Sequence, residues 1–200
     1  MKTTAILGGS FNPVHNGHVH LAAAVAEQLK PDRILIMPTH IAPHKQEKVT
    51  ADDHHRLEMC KIAFDGISGA EVCDYEIRRR GVSYSVNTLE HFTKAYPDDK
   101  FLLVIGSDML LMFEKWKRYK DIMKMAVIVA ASRETDDREV LAAKKNQLSE
   151  YGEVLLLKIK PYPMSSTDIR RELSAGGDAS DFIDERVLGY IKTNRLYGCD

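Results

Sequence analysis

Cysteine is scarce in this chain: Cys60, Cys73 and Cys199 are the three among 200 residues. Their number is odd and no Cys-x-x-Cys pair occurs, which excludes a disulfide framework or a paired-cysteine zinc site as the basis of the fold. The first ten residues also lack a sustained apolar stretch, because Gly8 and Gly9 interrupt it, so we expect no secretory signal. Both absences predict a cytoplasmic protein with reduced thiols.

Long apolar runs and an excess of one charge are absent too. The longest apolar runs, such as 125–131, are far shorter than the roughly 20 residues that a membrane helix needs. The 28 Lys and Arg residues against 29 Asp and Glu residues give a formal net charge of −1. We therefore expect no membrane span and no broad basic surface for nucleic acid, although a small phosphorylated ligand remains possible.

Apolar, β-prone segments alternate with amphipathic helical patterns along the whole chain. Strands that are apolar on both faces and separated by helices predict an α/β fold, with a doubly wound, mainly parallel sheet. No repeat or linker interrupts the pattern, so we expect a single domain over 1–200 with a small helical C-terminal part at about 165–197. The predicted strands lie at 3–7, 33–37, 71–75, 101–105, 125–130 and 154–157. The predicted helices lie at 19–29, 52–65, 86–95, 138–151, 167–173 and 182–193, with helix caps expected from the pairs Thr50 and Asp53, Ser165 and Asp168, and Asp181 and Asp184.

The loop at 8–18, GGSFNPVHNGH, falls between the first predicted strand and the first predicted helix. Ligands of such folds bind beyond the carboxyl ends of the strands, where this loop lies. Gly8 and Gly9 allow close backbone approach, and amides near Gly17 and His18 can face an anion at the helix start. The loop matches neither the GxGxxG pattern nor the Walker pattern, so hydride transfer and P-loop hydrolysis are not predicted.

His15 and His18 stand three residues apart at this helix start. Imidazoles placed there can donate to phosphate oxygens and stabilise charge that develops in a transition state. A metal site completed by His20, or by His40 and His44, is the alternative, but no HExxH motif or carboxylate cluster supports it. The glycines around the pair favour a ligand site, with no protein-bound metal.

The segment 15–18 resembles the HxGH signature of a nucleotidyltransferase superfamily. A second segment, Ser165 to Arg170, resembles the SSTxIR signature of the same superfamily and opens a late helix, where hydroxyls, amides and a guanidinium can hold ATP phosphates. Alone, three hydroxyl residues would be an ordinary helix cap. Two motifs in the right order, about 150 residues apart, are far more specific than either one.

Over nearly the whole chain the sequence resembles the nicotinate mononucleotide adenylyltransferases. The segments that carry this resemblance lie at 42–45, 56–59, 83–89, 105–108, 116 and 196–197. Asn12, Ala42, Ser107 and Met164 depart from the residues common in that family, and none of these departures removes a charged catalytic group.

Several of these segments can also be interpreted from their own residues, independently of the resemblance. His44 and Lys45 lie in a polar loop and could meet a phosphate. Asp108 follows a strand and could accept from ribose hydroxyls, or it could cap a helix together with Ser107. Trp116 could be core packing or could stack on a pyridine ring. The segment 83–85 precedes a helix, and its amides and hydroxyls could bind a carboxylate.

The resemblance implies a Rossmann-like enzyme that transfers AMP from ATP to nicotinate mononucleotide, with Mg²⁺ accompanying ATP. Two other acceptors stay open, namely nicotinamide mononucleotide and, less favoured, phosphopantetheine. A nucleotide sensor without catalysis also stays open. The protein could be a homodimer or a larger homo-oligomer. The implied catalytic residues are His15, His18, Lys45 and Arg170. The implied ATP-binding residues are Gly8, Gly9, Ser10, Phe11, Gly17, His18, Gly106, Asp108, Ser165, Ser166, Thr167 and Arg170. The implied acceptor-binding residues are Asn12, His44, Lys45, Tyr84, Ser85 and Trp116.

Overall fold

The computed structural model describes residues 1–43, 51–133, 138–160 and 162–199 of the chain. Within them lies a sheet of six parallel strands in the order β3-β2-β1-β4-β5-β6. This confirms the predicted doubly wound, Rossmann-like α/β class. The strands are β1 Thr3–Gly9, β2 Arg33–Pro38, β3 Ala70–Val72, β4 Lys100–Gly106, β5 Ala126–Arg133 and β6 Val154–Ile159.

Helices connect consecutive strands and cover the sheet. They are α1 Asn16–Leu29, α2 Asp53–Phe64, α3 Tyr75–Arg79, α4 Ser85–Ala95, α5 Ser107–Leu111, α6 Tyr119–Met125, α7 Arg138–Leu148, α8 Ser166–Ser174 and α9 Glu185–Thr193. Short 3-10 turns lie at Phe113–Lys115 and Leu196–Gly198. No helix in the described parts of the chain is both long and apolar enough to cross a bilayer.

The central strands bury side chains on both faces. In β1, Ala5 and Leu7 enter one apolar cluster with residues of α1, α2, α8 and α9, whereas Ile6 enters a second cluster on the opposite face with residues of α4 to α7. Successive strand residues point to opposite faces, so a strand with helices on both sides must be apolar throughout. This requirement produces the uniformly apolar runs that the sequence displays.

The strand order reverses direction at β1, which pairs with β2 on one side and β4 on the other. Connections from the carboxyl ends of β1 and β4 therefore leave toward opposite faces of the sheet and open a crevice between them. Gly8 and Gly9 end β1, and Gly106 ends β4. The loop at 8–18, called the phosphate loop below, thus borders the point where such folds bind their ligands.

Several predicted boundaries are wrong. The strand expected at 71–75 ends at Val72, and Tyr75 begins α3 instead. Met125 is the last residue of α6, and the helix expected from 182 begins at Glu185. Short helices such as α3 and α6 carry too few apolar positions to show a helical period in the sequence.

The three predicted helix caps have different outcomes. Ser165 and Asp168 form the predicted capping box, since each side chain accepts from the backbone N–H of the other. The cap of α9 is Asp184, not Asp181. Thr50 lies outside the described residues, and Asp52 at the start of α2 makes no side-chain cap.

Candidate active site

His15 and His18 cap each other at the start of α1. Nδ1 of His15 accepts from the backbone N–H of Gly17 at 3.1 Å, and Nδ1 of His18 accepts from the backbone N–H of His15 at 3.2 Å. The arrangement is a capping box built from two histidines. Because each Nδ1 is an acceptor, the rings are neutral and carry their proton on Nε2.

Gly17 has no room for a side chain. A Cβ at this position would lie 2.8 Å from Cδ1 of Tyr162 and 2.9 Å from Cε1 of His15. The Tyr162 ring stacks on the His15 ring with their centroids 5.7 Å apart, and the His15 and His18 centroids are 3.8 Å apart. The glycine of the HxGH motif therefore makes room for the packing that orients both imidazoles.

Phe11 anchors the loop that precedes these histidines. Its side chain is 1% exposed and contacts the rings of Phe64, at 5.9 Å between centroids, and His18, at 4.9 Å. Its backbone adopts a positive φ of 45°. The structure thus places Phe11, predicted to contact ATP, inside the core as a support beneath His18.

The start of α8 binds the backbone of the same loop. Ser166 Oγ donates to the carbonyl oxygen of Pro13 at 2.9 Å, and Arg170 Nη1 donates to the carbonyl oxygen of Asn12 at 2.8 Å. The side chain of Asn12 is buried and accepts from the Tyr197 hydroxyl at 2.9 Å. The SSTxIR segment is therefore joined by hydrogen bonds to the part of the loop that leads into the HxGH segment.

Arg56 holds the loop from the other side. Its side chain is fully buried, and Nη1 donates to the carbonyl oxygen of Ser10 at 2.7 Å. Its Nη2 contacts the carboxylate of Asp53, whose second oxygen lies 2.6 Å from Nδ1 of His40. A buried cation needs such partners to offset its desolvation. Sequence reasoning assigned Arg56 no role, and its neighbours His55 and Leu57 give no signal that the guanidinium is buried.

A cavity of about 470 Å³ opens beside the loop at the carboxyl ends of β1 and β4. That volume lies in the range of roughly 300–1,000 Å³ that is usual for small-ligand sites. Ten of the predicted residues line it, namely Gly8, Gly9, Ser10, His18, Tyr84, Ser85, Gly106, Asp108, Trp116 and Ser166. Residues from the phosphate loop, from the end of β4 and from the start of α4 thus meet at one site.

The remaining predicted residues form two groups. Phe11, Asn12, His15, Gly17, Ser165, Thr167 and Arg170 are not among the lining residues, and most of them support the loop or the start of α8. His44 and Lys45 fall in 44–50, outside the described residues. Among the lining residues without a predicted role are Thr39, Glu76, Met109 and Lys117.

One wall of the cavity carries the segment 83–85, whose amides and hydroxyls the sequence analysis considered for binding a carboxylate. Trp116 is half-buried and its ring packs on Phe113 at 5.2 Å between centroids, so it both lines the cavity and touches the core. The ammonium of Lys117 lies 4.4 Å from the centre of the Tyr84 ring. Ser83 is buried and its Oγ accepts from the backbone N–H of His40 at 3.1 Å. Aromatic surface and polar groups therefore adjoin on this wall.

Asp108 follows the end of β4 as the second residue of α5. The helix α5 is capped by the backbone of Gly106 without a side-chain hydrogen bond, so the capping role considered for Ser107 or Asp108 is wrong. Asp108 is exposed and lines the cavity. Its carboxylate is accessible to a polar ligand.

Glu76 is the buried carboxyl group of the cavity wall. Burial raises the pKa of Glu76, while the Thr88 and Ser83 hydroxyls and the charge of Arg79 act in the opposite direction. Nothing in the sequence distinguishes Glu76 from an exposed residue of a charged turn.

The described residues contain no group of three or more His, Cys, Asp and Glu side chains able to hold a metal ion. The alternative of a histidine metal site that includes His20 and His40 therefore has no support in the described part of the chain, and His44 lies outside it. Mg²⁺ that arrives with ATP is a different case, because it keeps several waters and needs few protein ligands.

A model of the cytidylyltransferase-like family matches residues 6–172 of the chain. The fold is shared with solved structures as well. The Plasmodium falciparum nicotinic acid mononucleotide adenylyltransferase complexed with NaAD superposes with a TM-score of 0.83 at 19% identity, covering 100% of this chain and 99% of that one. The protein is thus a cytidylyltransferase-like nucleotidyltransferase with a Rossmann-like fold.

Curated relatives narrow the family further. A "Probable nicotinate-nucleotide adenylyltransferase" of Clostridium tetani is 35% identical over 199 residues, which are 98% of this chain and 100% of the relative. A protein of the same name from Streptococcus pneumoniae is 33% identical over 98% of this chain and 89% of its own length. The chain belongs to the nicotinate-nucleotide adenylyltransferase family.

Proposed function

We propose that this protein transfers the AMP moiety of ATP to nicotinate mononucleotide, forming nicotinate adenine dinucleotide and pyrophosphate. The observation that carries the proposal is a single cavity that unites His18 and the β1 glycines with Tyr84, Ser85 and Trp116. The first group suits phosphates, and the second suits a flat aromatic ring with a polar substituent. The family membership of the chain supports the same reaction.

The reaction needs no nucleophile from the protein. A phosphate oxygen of the mononucleotide attacks the α-phosphorus of ATP, a new P–O bond forms, and the bond from that phosphorus to the bridging oxygen of pyrophosphate breaks. Charge accumulates on the phosphoryl oxygens and on the departing pyrophosphate. The protein's contribution is therefore positioning and electrostatic stabilisation.

His18 is the residue that we place on the reacting phosphates. Its Nδ1 is occupied by the backbone N–H of His15, so Nε2–H is the donor for a phosphoryl oxygen. A neutral donor that is fixed by the capping box needs no reorganisation in the transition state. His15 keeps the same tautomer and orients the start of α1 by accepting from the Gly17 amide. The anion contact expected of the Gly17 and His18 amides is not supported, because His18 N–H likewise donates within the protein, to the carbonyl oxygen of His15.

In this proposal, the start of α8 and Lys45 interact with the phosphate charge that His18 does not contact. Ser166 lines the cavity while its hydroxyl donates to Pro13, so its position is fixed relative to the phosphate loop. Arg170 both fixes Asn12 and adds positive charge beside the loop. Lys45 and His44 lie outside the described residues, and their contact with phosphate stays a prediction.

The wall formed by Trp116, Tyr84 and Ser85 takes the acceptor. Trp116 offers a ring for offset stacking on pyridine, and the first amides of α4 suit a carboxylate. Asp108 at the end of β4 suits ribose hydroxyls. Nucleotidyltransferases generally use a divalent cation with ATP, and Mg²⁺ would neutralise the departing pyrophosphate. The donor set fits a cation held mainly by phosphate oxygens and water, with Asp108 as the exposed carboxylate of this wall.

A pyrophosphate-release assay tests the function. The enzyme is given ATP and Mg²⁺ with nicotinate mononucleotide, nicotinamide mononucleotide or phosphopantetheine in parallel, and kcat/KM is compared. We expect the highest value with nicotinate mononucleotide. A higher value with either other acceptor would reassign the substrate, and ATP binding without release in any arm would indicate a nucleotide sensor.

A further inference from the structure

Lys117 places an ammonium group beside the acceptor wall, the part of the cavity formed by Tyr84, Ser85 and Trp116. Its side chain is exposed and lines the cavity, and Nζ lies 4.4 Å from the centre of the Tyr84 ring. A cation–π contact of this kind holds the ammonium over the face of the ring and leaves its three N–H donors available. The donors are therefore within reach of a ligand that occupies this wall.

The charge of Lys117 is not neutralised by the described part of the chain. Lys117 forms no salt bridge with any carboxylate there. Two acidic residues close to it in sequence are engaged by other cations. Glu114 pairs with Lys144, and its carboxylate also accepts from Gln147. Asp121 pairs with Arg118 at 2.7 Å.

The acidic residues of the cavity itself leave this charge unpaired as well. Asp108 and Glu76 line the same cavity, and neither forms a salt bridge with Lys117 among the described residues. An ammonium with no anionic partner, placed on the wall of a ligand cavity, is a ready partner for a negatively charged group of the ligand.

The start of α4 adds positive potential at the same place. Tyr84 is the N-cap residue of α4, so the ring beneath the ammonium belongs to the start of that helix. The first turn of α4 contains no acidic residue, and Tyr84 makes no side-chain cap. A cation beside a helix N-terminus is electrostatically unfavourable, whereas an anion that contacts both is stabilised by both. The acceptor wall therefore favours an anionic substituent over a neutral one.

The two candidate mononucleotides differ in just such a substituent. Nicotinate carries a carboxylate on the pyridine ring, and nicotinamide carries a neutral carboxamide in its place. The 5′-phosphate is common to both. An ammonium attracts the carboxylate strongly and gains much less from the carboxamide. Trp116, on which we place the pyridine, directly precedes Lys117, and the flexible four-carbon stem of a lysine allows its ammonium to follow the ligand.

We infer that Lys117 is a specificity residue, whose ammonium pairs with the carboxylate of nicotinate mononucleotide at the acceptor wall. This inference rests on the proposed function, because it assumes that the pyridine occupies the wall of Tyr84, Ser85 and Trp116. The sequence gives no sign of this role, since Lys117 stands in a charged segment, 114–121, among other lysines.

The experiment measures kcat/KM for both mononucleotides in wild type, Lys117→Met and Lys117→Arg. In Lys117→Met, which keeps the length of the side chain without its charge, the ratio of nicotinate to nicotinamide mononucleotide should fall about fivefold. The value for nicotinamide mononucleotide should stay within about twofold. Lys117→Arg keeps both the charge and the contact with an aromatic ring, so its ratio should stay within about twofold of wild type.

Two controls separate this effect from a general one. Both acceptors are measured on the same preparation, so any loss of folded protein cancels in the ratio. Lys115→Met removes the charge of an exposed lysine that does not line the cavity and should leave the ratio unchanged. Raising the ionic strength from about 0.05 M to about 0.5 M should lower the ratio in wild type, because salt screens the pair, and should have little effect in Lys117→Met.

The outcomes distinguish this inference from the proposed function. If wild type releases no pyrophosphate with nicotinate mononucleotide, the proposed function fails. If wild type is active but the ratio in Lys117→Met equals that of wild type, the function stands and the role of Lys117 is overturned. An equal loss with both acceptors also overturns it, because Lys117 then contacts the shared phosphate or only supports the Tyr84 ring.

Discussion

Arg170 donates from Nη1 to the carbonyl oxygen of Asn12 at 2.8 Å, across 158 positions of sequence. With Ser166 bound to Pro13 and Tyr197 bound to the Asn12 side chain, it ties the C-terminal part of the chain to the phosphate loop. The SSTxIR motif is therefore a structural support of the HxGH loop as well as a source of positive charge. A change in either motif should disturb the other.

Variants of His18 test whether its helix-capping role can be separated from its catalytic role. His18→Ala should lower kcat by at least about 100-fold, the scale of losing one preorganised oxyanion donor. It should also destabilise the fold by about 1 kcal/mol, since an N-terminal cap is lost. His18→Glu should restore the stability but not the rate, because a Glu carboxylate at this position accepts from the cap backbone and has no N–H donor. Exposed His20→Ala is the control, and near-normal kcat in His18→Ala would refute the role.

Gly17 tests the packing of the two imidazoles. In Gly17→Ala the new methyl group would meet Tyr162 and His15 at under 3 Å. We expect His15 to move, activity to fall by about tenfold or more, and the free energy of unfolding to drop by about 1–3 kcal/mol. Gly189→Ala is the matched control, because a Cβ there meets nothing within 4 Å and the residue lies within α9. That control should gain about 0.5–1 kcal/mol in urea unfolding; equal behaviour of the two variants would contradict the steric explanation.

Trp116 tests the position of the pyridine. Trp116→Ala should raise KM for nicotinate mononucleotide about tenfold and leave KM for ATP within about twofold, as expected when stacking and buried area are lost at one substrate. Trp116→Phe keeps an aromatic ring, so its KM for nicotinate mononucleotide should lie between those of wild type and Trp116→Ala. Steady-state kinetics at varied nicotinate mononucleotide concentration, and separately at varied ATP concentration, measure the two KM values. An unchanged acceptor KM together with a loss of stability would assign Trp116 to the packing with Phe113 alone.

Asp168 gives a pH-dependent contribution to stability. Hydrogen bonds from Ser165, first of all from its hydroxyl, hold the pKa of Asp168 below its ordinary value in the folded protein. A depressed folded-state pKa stabilises the fold above the unfolded-state pKa, and this contribution disappears as pH falls through the folded value. The stability difference between wild type and Asp168→Asn should therefore be present at about pH 7 and shrink below about pH 4 in urea unfolding. In Ser165→Ala the pKa of Asp168, followed by NMR, should rise; a difference that is the same at both pH values would contradict the assignment.

Local pattern determined much of this protein. The strands are apolar because both faces of the sheet are covered, and this property is written in consecutive residues such as Ala5, Ile6 and Leu7. The HxGH and SSTxIR segments are likewise contiguous, so the class of enzyme and the edge of the sheet that holds the site were predictable. The Ser165 cap was predictable for the same reason, since its partner Asp168 is three residues away.

Tertiary structure decided what depends on distant neighbours. Phe11 faces the core instead of a ligand because Phe64 and His18 close over it, and Arg170 faces the loop because Asn12 presents a carbonyl oxygen to it. The burial of Arg56 and Glu76 follows from the packing of helices against the phosphate loop and the start of α4, and their sequence neighbours do not reveal it. A side chain's exposure and its hydrogen-bond partners are properties of the whole fold, so only the folded chain shows which charged residues are buried beside the site.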